Sequence, residues 1–173
     1  DGEEVYVTEK LHGCNSRFVF TNDRLYVASK SCYKKKDESN LWWKIAERYD
    51  LENILKKYPD IAIYGEVYGG SVQDLNYGSK EVKFAMFDAL DIKSNRYFDV
   101  DEFLAFAQES GLPVVPTLYR GPWSKDVVNL AEGQSTMADH VREGIVIKPI
   151  KERFHPEIGR TFLKLPGEGY LTR

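Results

Sequence analysis

A chain of 173 residues, 42% hydrophobic and 13% aromatic, has the size of one domain and can bury a substantial core, which excludes a disordered segment. With 24 Lys+Arg against 27 Asp+Glu it carries a net charge of −3, so it is not a domain that holds nucleic acid by overall charge. Any such contact must use a local basic face or a partner domain. The cysteines, Cys14 and Cys32, fit neither a zinc site nor a disulfide framework and read as free thiols of a reducing, intracellular compartment. No apolar run approaches the ~20 residues of a membrane span, so no membrane partner is expected. The chain opens on Asp1 without Met, close ahead of a strand-like segment, and reads as an excised or processed piece.

Glu4 to Thr8 alternates and is β-branched, which predicts a strand. Ser16 to Phe20 and Arg24 to Ala28 predict a hairpin turning at Thr21-Asn22-Asp23. Ser31 to Asn40, with Lys34-Lys35-Lys36, is polar and reads as a loop. Leu41 to Tyr58 has helical spacing interrupted near Asp50, and Pro59 ends it. Ile61 to Tyr68 and Val82 to Leu90 are strand-like. Asp99 to Ser110 predicts a helix, with Asp99 as N-cap, Glu102 three residues on and Gly111 just past the end. Val114 to Tyr119 predicts a short strand with Pro116 at an edge, and Ser124 opens a short helix that closes near Gly133. Gly144 to Ile150 and Thr161 to Leu165 are the last strands. Strands dominate and helices cluster between them, so the class is α+β with largely antiparallel sheets flanked by helices.

The chemistry centres on Thr8-Glu9-Lys10-Leu11-His12-Gly13-Cys14-Asn15. A lysine at a strand end, ahead of a polar side chain and a glycine, suggests a nucleophile at a tight turn. Gly13 permits close backbone approach or a positive φ. Lys10 would attack through its neutral amine, which needs burial or neighbouring cations. Glu66 stands inside an apolar strand between Gly65 and Gly69. Glu143 precedes an apolar strand carrying Lys148, and Lys164 stands in another. With Lys10 and Lys30, these lysines could line a polyphosphate site; Glu66 and Glu143 could meet a ribose hydroxyl or Mg²⁺.

Together, and in this order, the segments resemble the covalent nucleotidyltransferase superfamily of DNA and RNA ligases and mRNA capping enzymes. The matching segments are Lys10-Leu11-His12-Gly13, Ser29-Lys30-Ser31, Glu66, Phe84-Ala85-Met86-Phe87-Asp88, Glu143 to Pro149, and Leu163-Lys164. His12 replaces the aspartate usual in DNA ligases and capping enzymes. Glu-Lys-x-His-Gly with Asn15 soon after is similar to RNA ligases related to the second RNA ligase of bacteriophage T4, the RNA-editing ligases and the Deinococcus- and Naegleria-type ligases. The last of these segments departs from the pattern of many of these ligases, which have two lysines separated by one residue there: Leu165 and Pro166 follow Lys164, so the second lysine is absent, and Arg160 is the nearest candidate for the missing cation.

The resemblance implies a nucleotidyltransferase (ATP-grasp-like ligase) fold spanning residues 1–173, with an OB-type or C-terminal accessory domain outside the chain. It implies an ATP-dependent RNA ligase that joins a 3′-hydroxyl to a 5′-phosphate, with RNA ends in a nicked duplex as partner. Lys10 would form lysyl-AMP, Glu66 would bind the ribose, and Phe87 would stack on adenine. The backbone near Glu9 would read the adenine edge; Lys148 and Lys164 would hold phosphates. His12 would contact phosphate in later steps, Gly13 would shape the nucleotide turn, and Arg17 and Lys30 would add phosphate or substrate contacts. Glu143, with Asn15 through water, would hold Mg²⁺ or Mn²⁺. The alternatives are a DNA ligase, a GTP-using capping enzyme, or a non-catalytic nucleotide-binding module.

Overall fold

The computed structural model describes residues 2–173. In chain order the elements are β1 (Glu4–Lys10), β2 (Cys14–Thr21), β3 (Arg24–Ser29), α1 (Leu41–Arg48), α2 (Leu51–Leu55), β4 (Ile61–Gly69), β5 (Val82–Asp91) and β6 (Arg96–Tyr97). There follow α3 (Val100–Ser110), β7 (Thr117–Pro122), the 3₁₀ helix η1 (Lys125–Ala131), β8 (Gly144–Pro149), β9 (Phe154–His155), β10 (Gly159–Arg160), β11 (Leu163–Pro166) and α4 (Glu168–Leu171). They divide into two compact units. One runs to His12 and adds Asp99–Glu102 and Val115–Arg173; the other is Gly13–Phe98 with Phe103–Val114.

In the second unit an antiparallel sheet has the order β3-β2-β4-β5-β6. Thr21 pairs with Arg24, so the hairpin turn is only Asn22-Asp23, both at positive φ, as a type I′ turn demands. The expected three-residue turn is tighter because Thr21 stays in the ladder. Alternation sends Phe18, Val27, Ile63 and Val67 to one face, where α1, α2 and the body of α3 close a core with Phe84, Met86 and Phe103. The side chain of Asn40 caps α1 by accepting from the Trp42 and Trp43 amides. The break expected near Asp50 is real: that residue adopts a left-handed conformation between α1 and α2.

The first unit is built on an antiparallel sheet of order β11-β8-β1-β7 and a small β9–β10 hairpin. Its core lies on one face, where Val5, Val7, Ile145 and Ile147 pack against Val127 and Ala131 of η1. Several boundaries differ from expectation. The β7 strand begins at Thr117, because Pro116 has no amide to give a ladder and Val114 ahead of it bridges Met86 instead of β1. The β11 strand begins at Leu163, since the Thr161 amide is tied to the Arg153 carbonyl. At α3 the Glu102 carboxylate reaches back to the Asp99 amide, but the Asp99 side chain serves the Glu152 amide instead of capping the helix. The two-residue strands and α4 carry no periodic signal and went unpredicted.

Gly65 is required by packing: a Cβ there would stand 2.2 Å from Cε2 of Phe84 and 2.6 Å from the Ala85 carbonyl oxygen. Gly65→Ala should therefore lower stability by about 1–3 kcal/mol, read as a fall in the urea midpoint at unchanged slope.

Candidate functional site

Register decides which side chains meet in the first unit. Along β1–β8, Lys10 lies opposite Gly144, Glu9 opposite Ile145, and Tyr6 opposite Lys148; Val146 lies between Thr8 and Lys164 of β11. Because side chains alternate, Lys10, Lys148 and Lys164 share the sheet face turned away from Val5, Val7, Ile145 and Ile147. Lys148 is buried at 7% exposure, whereas Lys164 is exposed, with its ammonium 5.5 Å from the Phe162 ring. Close approach of β8 and β11 requires Gly144, where a Cβ would lie 2.0 Å from the Leu165 carbonyl oxygen.

The Lys10 ammonium donates to Oε1 of Glu143 in a close ion pair. The other oxygen of that carboxylate is 3.2 Å from Nδ1 of His12, and the same nitrogen lies 2.9 Å from the Tyr170 hydroxyl. Thus Glu143, with a side chain 12% exposed, touches the expected nucleophile and the histidine two residues beyond it. Tyr170, on α4, was missed: it is 158 positions from His12 and belongs to no motif.

A framework of hydrogen bonds around the buried Glu9 and Arg142 positions Glu143. Alternation aims Glu9 away from Lys10, and its carboxylate, 1% exposed, accepts from Ser135 Oγ (2.5 Å), Thr136 N (2.9 Å) and Thr136 Oγ1 (2.6 Å). Arg142, adjacent to Glu143, donates to the carbonyls of Leu130 (2.5 Å) and Gln134 (2.9 Å). The Glu132 carboxylate accepts the amides of Glu168 (2.5 Å) and Gly169 (3.3 Å), tying down the start of the helix that carries Tyr170. Arg160, the candidate for the missing cation, is held by Glu152 at 2.5 and 3.0 Å, so its charge is already met.

In the second unit, Asn15 lies opposite Glu66 and Arg17 opposite Tyr64, on the sheet face away from the main core. The Trp42 indole donates to the Asn15 carbonyl (3.1 Å) and anchors α1 there. The Arg17 guanidinium lies 5.6 Å from the Tyr64 ring centre and donates to the Tyr33 hydroxyl at 3.4 Å, while its buried Nε has no hydrogen-bond partner among the described residues. Burial pushes the Tyr64 phenol up to about 12, so at neutral pH it offers Arg17 a ring and not a phenolate. Gly13 is needed for close approach, since a Cβ would meet the Val67 carbonyl oxygen at 2.2 Å; its φ is not positive. Lys30 is exposed in the turn closed by the Ser29 amide and Cys32 carbonyl. Phe87 is the extra residue of a β-bulge: Tyr64 pairs with Asp88 and Gly65 with Met86, leaving Phe87 opposite nothing on β4. A bulge re-aims its side chain, and Phe87 is half-buried outside the core built on Phe18 and Phe84.

Among the described residues no three His, Cys, Asp or Glu side chains gather as a metal cage. Glu143 is a single hard oxygen donor. That suits Mg²⁺ or Mn²⁺ held mainly by water and substrate phosphate, so the residues fit such an ion.

The profile of the RNA ligase family matches residues 3–165, nearly the whole chain. The chain belongs to the RNA ligase family. It is similar to an RNA ligase of Naegleria gruberi, solved as a mutant with ATP and Mn: TM-score 0.88, 23% identity, covering 99% of this chain and 52% of that one. The same Naegleria ligase solved with PPi gives a TM-score of 0.89 at the same identity and coverage. An uncharacterized protein of Methanocaldococcus jannaschii is 24% identical over 167 residues, 88% of this chain and 41% of that protein. The α+β fold of antiparallel sheets and flanking helices is the fold of those ligase structures, and this RNA ligase family member spans about half their length or less.

Within this family member the first unit brings together Lys10, His12 and Glu143 by direct contact and places Lys148 and Lys164 on the face of Lys10. The second brings Asn15 to Glu66 and Arg17 to Tyr64. No helix of the described residues is long and apolar enough to cross a membrane. Glu9→Ala would remove the buried carboxylate that accepts from Ser135 and Thr136, whose donors are partly open to solvent, and should cost about 1–3 kcal/mol in urea unfolding.

Proposed function

We propose that this chain is the adenylylating domain of an ATP-dependent RNA ligase that seals 3′-hydroxyl to 5′-phosphate RNA ends. One observation carries the reading: in an RNA ligase family chain, Lys10 ends β1 in contact with Glu143, on a sheet face shared with Lys148 and Lys164.

Lys10 attacks the α-phosphorus of ATP, a nitrogen–phosphorus bond forms as the bond to pyrophosphate breaks, and lysyl-AMP results. AMP then passes to the 5′-phosphate of RNA, and attack by a 3′-hydroxyl on that activated phosphate expels AMP. Such transfers depend on positioning and on neutralising phosphate charge. Lys10 can reach an α-phosphorus only on leaving its contact with Glu143. Lys148 and Lys164 neutralise phosphate charge, Glu66 takes ribose hydroxyls, and Phe87 supplies a ring for adenine. The backbone at Glu9 reads the base edge, Gly13 lets the turn close tightly, and His12 contacts phosphate in the later steps. Arg17 and Lys30 add phosphate or substrate contacts. Glu143, with Asn15 assisting through water, would hold Mg²⁺ or Mn²⁺, which would supply neutralisation of phosphate charge. Sealing of a nicked duplex draws on an accessory domain elsewhere in the full-length protein, so the chain alone self-adenylylates and seals poorly.

The test is incubation with ATP or GTP labelled at the α-phosphate, with Mg²⁺ or Mn²⁺, followed by a denaturing gel beside Lys10→Ala. The expected result is an acid-labile label from ATP alone that is lost in Lys10→Ala. A label from GTP would assign a capping activity instead. No label on a folded chain would leave a nucleotide-binding module.

A further inference from the structure

The run Lys34-Lys35-Lys36 and the pair Trp42-Trp43 are not used by the adenylylation chemistry, yet they are built together. After β3 the chain folds back on itself. The Ser29 amide bonds the Cys32 carbonyl (2.9 Å), Tyr33 pairs with Ala28, and the Lys34 amide bonds the Val27 carbonyl (2.7 Å). This returning segment covers the open edge of β3. Lys34 places its ammonium 4.6 Å from the Trp42 ring centre, and Lys36 stands 5.6 Å from that of Trp43. The Trp43 indole also donates to the Lys34 carbonyl at 3.0 Å. Arg24, at the other end of β3, lies 4.5 Å over the Tyr26 ring. From Arg24 to Lys36 the cations are Arg24, Lys30, Lys34, Lys35 and Lys36, without one acid among them, in a chain of net charge −3. Asp37, which follows, is engaged in its own turn by the Ser39 amide and hydroxyl.

A merely solvated lysine run leaves its side chains free in water. Here Arg24, Lys34 and Lys36 rest against aromatic rings, so less side-chain freedom is lost when they meet an anion. Between them stands Tyr33, 62% exposed. Its ring meets Tyr26 edge-on at 5.9 Å, and its hydroxyl accepts from Arg17 at 3.4 Å. A large aromatic ring fixed at its edge and its hydroxyl, exposed and flanked by ordered cations, has the composition of a base-stacking platform beside a phosphate track.

We propose that β3 and the segment folded back on it, Arg24 to Lys36, form a docking surface for an unpaired stretch of RNA, with a base stacked on Tyr33 and phosphates along Arg24, Lys34, Lys35 and Lys36. The choice of RNA among polyanions rests on the ligase reading above. An unpaired strand is specified because the bases of a duplex are already stacked on one another and offer no free face to Tyr33.

The experiment measures binding of a short fluorescent single-stranded RNA by anisotropy across a salt series, with lysyl-AMP formation assayed on the same preparations. Tyr33→Ala should weaken binding about tenfold and Tyr33→Trp should retain it. Lys35→Ala should lower the salt slope by roughly 0.7, the value for one phosphate contact on a single strand. Lysyl-AMP formation should be unchanged in all three, which also reports that they fold. Equal affinity of Tyr33→Ala and the parent, or a parent that binds no RNA, would overturn the docking surface. Loss of label in the parent chain, with Tyr33-dependent RNA binding intact, would instead count against the adenylylation reading alone.

Discussion

The pairing of β1 with β8 is the constraint on which the first unit depends. In its observed register Lys10 faces Gly144, so Glu143 sits one residue beyond the paired segment and its carboxylate reaches the Lys10 ammonium. A slip of one residue would turn Lys10 toward the apolar face and bring Glu9 out beside Lys148 and Lys164. The apolar set Val5, Val7, Ile145 and Ile147 prevents this, because the same slip would expose it. Hydrophobic burial on one side of the sheet thus positions charge chemistry on the other.

The motif residues were legible where chemistry and local pattern coincide. Lys10-Leu11-His12-Gly13 stands at a strand end, and Glu143 stands just before the strand that carries Lys148, so a single read along the chain finds them. The strands that carry them, β1, β4, β5 and β8, are long and alternating or continuously apolar, which is the strongest strand signal. What escaped was set by long-range contact. Ser135, Thr136 and Arg142 matter because of partners that no local periodicity announces, and Tyr170 matters through His12. The bulge that singles out Phe87 follows from a register shift between β4 and β5, visible only once both strands are paired. The starts of β7 and β11, at residues 117 and 163, differ from the sequence reading because the long-range bridge of Val114 to Met86 and the bond of the Thr161 amide to the Arg153 carbonyl decide them.

Charge is sorted locally, which reconciles an acidic chain with the polyanionic ligands proposed for it. The net charge of −3 averages a lysine-bearing face in one unit with the acid-free run Arg24 to Lys36 in the other. Several acids are spent on internal bonds. Glu9 holds Ser135 and Thr136, Glu132 holds the amides that begin α4, and Glu152 holds Arg160. An acid committed to an amide, a hydroxyl or a guanidinium contributes to the charge count but offers less to repel a phosphate nearby.

The neighbours Glu9 and Lys10 show how one strand serves both demands. Adjacent in sequence, they point to opposite faces. Glu9 is enclosed and accepts from Ser135 and Thr136, close in sequence to Arg142 and Glu143; Lys10 meets Glu143 from the other side of the same backbone. The two contacts form a closed circuit: Glu9 fixes the segment from one end, and the ladder bond of Lys10 to Gly144 fixes it from the other. The Glu143 carboxylate is therefore placed by a residue that never touches it. Replacing Glu9 would act on Lys10 through that circuit, even though the two side chains face opposite sides of the sheet.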